Sequence, residues 1–198
     1  MISLRSQTPK GQRARASILA AAEGLLVTRG FHGTSMRDIA KEAGLPLATV
    51  VYHFTKKERL YSAVLFDIAD ELTQGLAGAT TADDMARVLV RWSVNSPRRV
   101  VLLLRELLDN PARIAKASKF PLAPFMLRAS ELAREVGAPQ PELAVLQIVG
   151  AVSYVVASKP TVDRIVGPAR AKQMAAAYEA DMLQFARRVL GIGERKSR

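Results

Sequence analysis

Apolar residues recur every three to four positions along most of the chain, and Gly and Pro fall between the periodic runs. That pattern predicts an all-helical protein. Ile18, Ala22, Leu25 and Leu26 predict a first helix over 12–29, closed by Gly30. Ile39, Ala40 and Ala43 mark a short second helix from Met36, with Ser35 as N-cap and Asp38 as its capping-box partner. Gly44 supplies the left-handed stop, and Pro46 opens a third short helix over 47–53 that turns Val50 inward. A fourth helix over 56–77 carries the stripe Leu60, Tyr61, Val64, Leu65, Ile68 and Leu72. Alternating Val, Thr and aromatic residues are scarce, so no sheet is expected.

The rest of the chain continues the pattern. A fifth helix starts at Thr81, with Asp84 at the capping-box position and Met85, Val88, Leu89 and Trp92 on one face, and it stops at Ser96-Pro97. A sixth, over 98–109, is apolar nearly all round, which predicts burial on several sides. Asn110-Pro111 then caps a shorter basic helix with Lys116 and Lys119. Over 122–136 the stripe resumes with Phe125, Met126, Ala129, Leu132 and Ala133. The longest apolar run, 143–157, is interrupted by Gln147, Ser153 and Tyr154 and falls short of the ~20 residues of a membrane span, so it predicts a buried helix over 141–158. The last helix, over 168–191, spaces Met174, Tyr178, Met182, Phe185 and Val189. Residues 1–11 and the tail from Arg195 to Arg198 are expected to be solvated.

Two short helices joined by a tight Gly-containing turn make a helix-turn-helix, whose second helix enters a major groove. The same spacing fits an ordinary helical hairpin within a bundle. Charge changes the balance. The chain of 198 residues carries a net +11, which suits a polyanionic partner. Residues 1–60 hold ten Lys/Arg against four acids, an excess of six; the remainder holds nineteen against fourteen, an excess of five over more than twice the length. No cysteine is present, so disulfides and thiolate metal sites are excluded, and the N-terminus has no apolar core of signal-peptide length. A cytoplasmic protein without a membrane anchor is expected.

The residues from Gly33 to Leu60 carry a resemblance. GTSMRDIAKEAGL, then ATVVYHF, then KKERL are similar to the DNA-binding domain of the tetracycline-repressor-like (TetR) family, through Thr49, Val50, Tyr52, His53, Phe54, Lys57, Glu58 and Leu60. Val51 stands where that family commonly has an aromatic phosphate-contacting residue, and Pro46 and Leu47 replace its usual polar pair. The resemblance implies an N-terminal three-helix DNA-binding domain over 1–56 and a larger helical ligand-binding and dimerisation domain over 57–198. It further implies a homodimer whose last two helices build a four-helix bundle, and here the candidates are Gly150, Ser153, Ala157, Met174, Tyr178, Met182 and Phe185. Their periodicity fits an intramolecular core equally well. A mostly apolar effector pocket is also implied, with Trp92, Leu104, Phe125 and Met126 as wall candidates.

Candidate chemistry follows from the residue types. Arg37 is placed to read guanine O6 and N7, with a phosphate contact as the alternative. Thr49 is expected at a base edge or phosphate, and Tyr52, His53 and Lys57 at phosphates; Ser35 is shared with capping. Packing within the small domain is the alternative for Tyr52 and His53. Two-fold pairing would set two recognition helices about 34–36 Å apart on a near-palindromic operator. His32 and His53 both lie in the DNA-binding stretch, and no HExxH, GxSxG or phosphate-binding Gly loop occurs, so no enzyme, cofactor or metal is expected. The expectation is a repressor of transcription, bound to double-stranded operator DNA and released by a small-molecule effector. The alternative is a DNA-binding regulator governed by a protein partner or by its own abundance.

Overall fold

The computed structural model describes residues 8–109 and 121–193. The first residues of the basic arm, the short helix expected around Lys116 and Lys119, and the tail from Arg195 lie outside the described residues. Among the described residues the secondary structure is helical throughout: α1 (Pro9–Arg29), α2 (Met36–Glu42), α3 (Leu47–His53), α4 (Lys57–Gly75), α5 (Ala82–Asn95), α6 (Pro97–Asp109), α7 (Ala123–Glu135), α8 (Pro141–Val166) and α9 (Pro168–Leu190). The chain divides into two compact units at Asp67/Ile68, inside α4, whereas the sequence suggested a boundary at the start of that helix.

Helix α1 begins three residues before the apolar stripe suggested. Pro9 sits at its first position and the Thr8 hydroxyl accepts from the Gly11 N–H at 3.3 Å, so polar capping outside the stripe sets the start. Ile18, Ala22, Leu26, Ile39, Val50, Leu60 and Val64 are buried and form the centre of the first unit. Phe31 meets Tyr61 edge to face at 5.1 Å, which packs the α1–α2 connection against α4.

The second unit is built on one apolar cluster running from Leu72 and Leu76 through α5, α7 and α8 to Leu183, Ala186 and Leu190. Helix α5 starts as expected, since Thr81 and Asp84 form a full capping box. On α6, burial is narrower than its all-round apolarity suggested: Val100 and Leu102 are buried, but Leu108 is exposed. Asp83 on α5 binds Arg187 on α9 (2.6 Å) and Arg87 one turn along (2.8 Å). The Arg187 guanidinium, more than Arg87, holds the Asp83 carboxyl below the usual carboxylate range against the opposing effect of burial.

Helix α8 departs most from expectation. It runs through Pro160 to Val166, eight residues beyond the expected end at 158. Pro160 has no N–H to give the helix, yet its ring φ is compatible with continuing the turn, and Gly167 supplies the actual stop. At 26 residues α8 is long and apolar enough to cross a membrane on length and composition. Burial is confined to one face: Ala144, Val145, Ile148 and Val152 pack into the core, while Leu143, Leu146, Gly150 and Tyr154 are exposed.

Candidate nucleic-acid interface

The connection from α1 to α2 is tightly constrained. A Cβ at Gly33 would lie 2.4 Å from the Arg29 carbonyl oxygen, so only glycine fits that approach. Next to it, the buried Thr34 hydroxyl donates to the Gly30 carbonyl at 2.9 Å. Ser35 then caps α2: its hydroxyl accepts from the Asp38 N–H at 3.1 Å and donates to the Asp38 carboxylate at 2.6 Å. Hydrogen bonds from the Ser35 hydroxyl and backbone hold the Asp38 carboxyl below the usual carboxylate range.

Gly44, at φ +64°, closes α2 with a pair of crossed bonds. Its N–H donates to the Lys41 carbonyl at 3.2 Å, and the Leu45 N–H donates to the Ala40 carbonyl at 3.0 Å. That pairing satisfies two orphan carbonyls and aims the chain into α3. Ala40 is buried at the crossing, where a longer side chain would separate α2 from α3.

The inner side of α3 is anchored by fully buried Val50, with Thr49 and His53 half-buried beside it. Leu47, Ala48, Val51 and Tyr52 face outward. The Tyr52 and His53 rings meet edge to face at 5.3 Å, and the Arg15 guanidinium lies 5.4 Å from the Phe54 ring centre, which brings a cation from α1 to the end of α3. Arg37 and Lys41 on α2, with Lys56 and Arg59 around the start of α4, are also exposed.

Of the six residues singled out for DNA, the structure presents Arg37 and Tyr52 openly, and Thr49 and His53 in part. Two are otherwise engaged. The single hydroxyl proton of Ser35 is committed to Asp38, which makes Ser35 a helix cap in this arrangement. The Lys57 ammonium donates to the Phe31 carbonyl at 2.8 Å and the Thr34 carbonyl at 3.0 Å, and sits 4.2 Å above the centre of the Phe31 ring. It clamps α4 to the α1–α2 connection, with one of its three protons left over.

In the second unit the expected pocket walls stand as follows. Phe125 is buried in the core and Met126 packs against it; Trp92 donates its indole N–H to Glu71 at 2.8 Å, and Arg99 binds the same carboxylate. None of these, nor Leu104, lines the cavity of about 750 Å³ between the end of α5, α8 and α9. Its lining includes Ser93, Val94, Pro97, Tyr154, Val155, Val162, Met174, Tyr178 and Met182, with Lys159, Asp163, Arg170 and Asp181. Burial pushes the Tyr178 phenol up, and its hydroxyl donates to the Val152 carbonyl at 3.3 Å.

The interface candidates divide in the same way. Tyr178, Met182 and Phe185 pack against the core of their own unit, so the α9 stripe serves that core. Gly150 and Met174 are exposed, and Ser153 and Ala157 are half-buried. Leu143, Leu146 and Tyr154 were missed as surface residues; periodicity marks an apolar face without saying which of two such faces its own chain covers.

A small three-helix unit with a Gly-turned helix pair, an outward-facing second helix and a surplus of exposed cations is a helix-turn-helix nucleic-acid-binding unit. The sequence pattern of the bacterial regulatory proteins of the tetR family matches residues 18–64. Residues 18–64 therefore carry a DNA-binding domain of the tetR family of bacterial regulatory proteins. Similar relatives include the HTH-type transcriptional activator FasR of Mycolicibacterium smegmatis, 36% identical over 85 residues, covering 42% of this chain and 38% of FasR. The HTH-type transcriptional regulator RutR of Escherichia coli is 42% identical over 66 residues, covering 30% of this chain and 31% of RutR. The matched stretch thus spans under half the length of these curated relatives. Fold similarity extends further. The fatty acid degradation regulator FadR of Bacillus halodurans superposes with a TM-score of 0.66 at 17% identity, over 93% of this chain and 97% of FadR. The regulator SCO4942 of Streptomyces coelicolor gives 0.62 at 22% identity, over 88% and 97%.

Proposed function

We propose that this protein is a cytoplasmic, sequence-specific regulator of transcription, acting as a repressor that a small, mostly apolar effector releases from its operator. The observation that carries the reading is α3: a helix anchored by one buried residue, with its opposite face presented to solvent in a unit rich in exposed cations. Phosphate contacts supply affinity, and the outward side chains of α3 with Arg37 supply base choice.

A single reading unit binds one half-site weakly. Pairing through the exposed face of α8, with Leu143, Leu146, Gly150 and Tyr154 at helical spacing, joins two units on an inverted repeat. The cavity between α5, α8 and α9 has the size and apolar walls of a small-molecule site. Tyr154 belongs to both the exposed face and the cavity wall, so an occupant there bears on how two copies pair. Helix α4 runs unbroken from one compact unit into the other, and an effector need favour one arrangement by only a few kcal/mol to change operator occupancy.

Selection of preferred sites from random duplex DNA tests the reading. The expected result is an inverted repeat with half-site centres about one helical turn apart, or a multiple of it. A monomeric protein with equal affinity for every duplex at fixed salt removes it. A screen for small molecules that raise the melting temperature and weaken operator binding tests the effector; silence across broad chemistry favours control by a partner protein or by abundance.

A further inference from the structure

The outward face of α3 has an unusual composition for a helix that reads bases. Leu47, Val51 and Tyr52 are 37%, 42% and 83% exposed, and Ala48 is exposed between them. Leu47 and Val51 stand one turn apart, as do Ala48 and Tyr52, so the four form one continuous strip. The Tyr52 hydroxyl is the only side-chain hydrogen-bonding group on that strip. Thr49 is half-buried at its edge, and the bidentate donors and acceptors that usually distinguish bases, Arg, Asn, Gln, Asp and Glu, are absent from the helix.

An apolar strip still finds one partner among the base edges of the major groove, the C5 methyl of thymine. Charge complementarity fixes the occupant as DNA and not a second protein: exposed Arg37, Lys41, Lys56 and Arg59 belong to the same unit as the strip. We infer that Leu47 and Val51 read thymine methyl groups, so that specificity in each half-site rests on apolar contact from α3 and on Arg37 from α2. The inference rests on the reading of the chain as a sequence-specific regulator and adds which chemical feature of the operator is recognised.

The test replaces thymine by uracil, which removes the methyl and keeps every base-pair hydrogen bond. With the operator recovered by selection, uracil inside the half-sites is expected to weaken binding about fourfold per contacted methyl, the effect of exposing one buried methylene-sized group. Uracil outside the half-sites should change nothing. Val51→Ala should weaken binding to the thymine operator and abolish the thymine–uracil difference at one position per half-site. Its melting temperature should match the parent, because Val51 is exposed. If uracil duplexes bind as tightly as thymine duplexes while random DNA stays weak, methyl reading is overturned and the regulator reading stands. Equal losses on both duplexes from Val51→Ala overturn the assignment of that residue. If selection returns no preferred sequence, the regulator reading fails and this inference falls with it.

Discussion

The Lys57 ammonium has two carbonyl partners, those of Phe31 and Thr34, and a ring beneath it. Its removal takes a charged donor from each of the two carbonyls, that of Phe31 keeping the Thr34 N–H at 3.4 Å. Lys57→Met is therefore expected to cost about 1–3 kcal/mol in the stability of the first unit, read by thermal or urea unfolding. Binding to specific and random DNA should fall together, with the slope of log affinity against log salt unchanged; a slope flatter by about one places the third proton on a phosphate. Arg37 behaves differently because it is exposed and has no ion-pair partner among the described residues. Arg37→Ala should relax preference at one operator position and cost about 1–3 kcal/mol there, measured by binding to operators varied at that base pair. Equal loss on random DNA would make it a phosphate contact. The contrast shows what single residues reveal in sequence. The Ser35–Asp38 and Thr81–Asp84 boxes are legible because both partners lie within one turn. The Lys57 clamp is not, since its acceptors are backbone atoms 23 and 26 residues away.

Between elements, polar contacts decide how α5 and α9 are held. Arg187 reaches Asp83 across the pair, and Arg91 reaches Glu179 from the same α5. Asp83 is the more enclosed acid, and its folded carboxyl titrates below the unfolded value, held down first by Arg187. Its stabilisation is thus whole above the unfolded carboxylate range near pH ~4 and is lost as the pH falls through the lower folded value. Asp83→Asn should lower stability by about 1–2 kcal/mol at neutral pH, and the difference from the parent should shrink below pH ~4. A melting-temperature gap that stays constant from neutral pH down to about 3 would separate Asp83 from this linkage. Elements were legible where punctuation is local: Gly44 ends α2, and Gly167 with Pro168 parts α8 from α9. Pro160 misled for a physical reason. A proline within an apolar helix removes one hydrogen bond, but packing along Ala144, Val145, Ile148 and Val152 has already committed the helix before that bond is missed.

On the scale of the whole molecule, the open question is what meets the uncovered side of α8. Leu146 and Tyr154 are 56% and 69% exposed, two turns apart, with Gly150 between them where a second backbone could approach closely. The opposite face of the same helix is already satisfied by the core, so one helix carries two apolar faces of which the described residues cover one. A second copy is the partner that the proposed operator symmetry requires. Leu146→Glu places a charge in the middle of that face without disturbing the buried one. It should leave the melting temperature of dilute protein close to that of a separated parent subunit while shifting sedimentation from dimer to monomer. Affinity for an inverted repeat should fall about 10²- to 10⁴-fold, the gain that linking two sites supplies, while affinity for an isolated half-site stays within a fewfold of the parent. Should Leu146→Glu sediment as the parent does and keep its preference for inverted repeats, the pairing face lies elsewhere. The α3 reading would then survive, but the cavity wall shared through Tyr154 would no longer connect an effector to pairing.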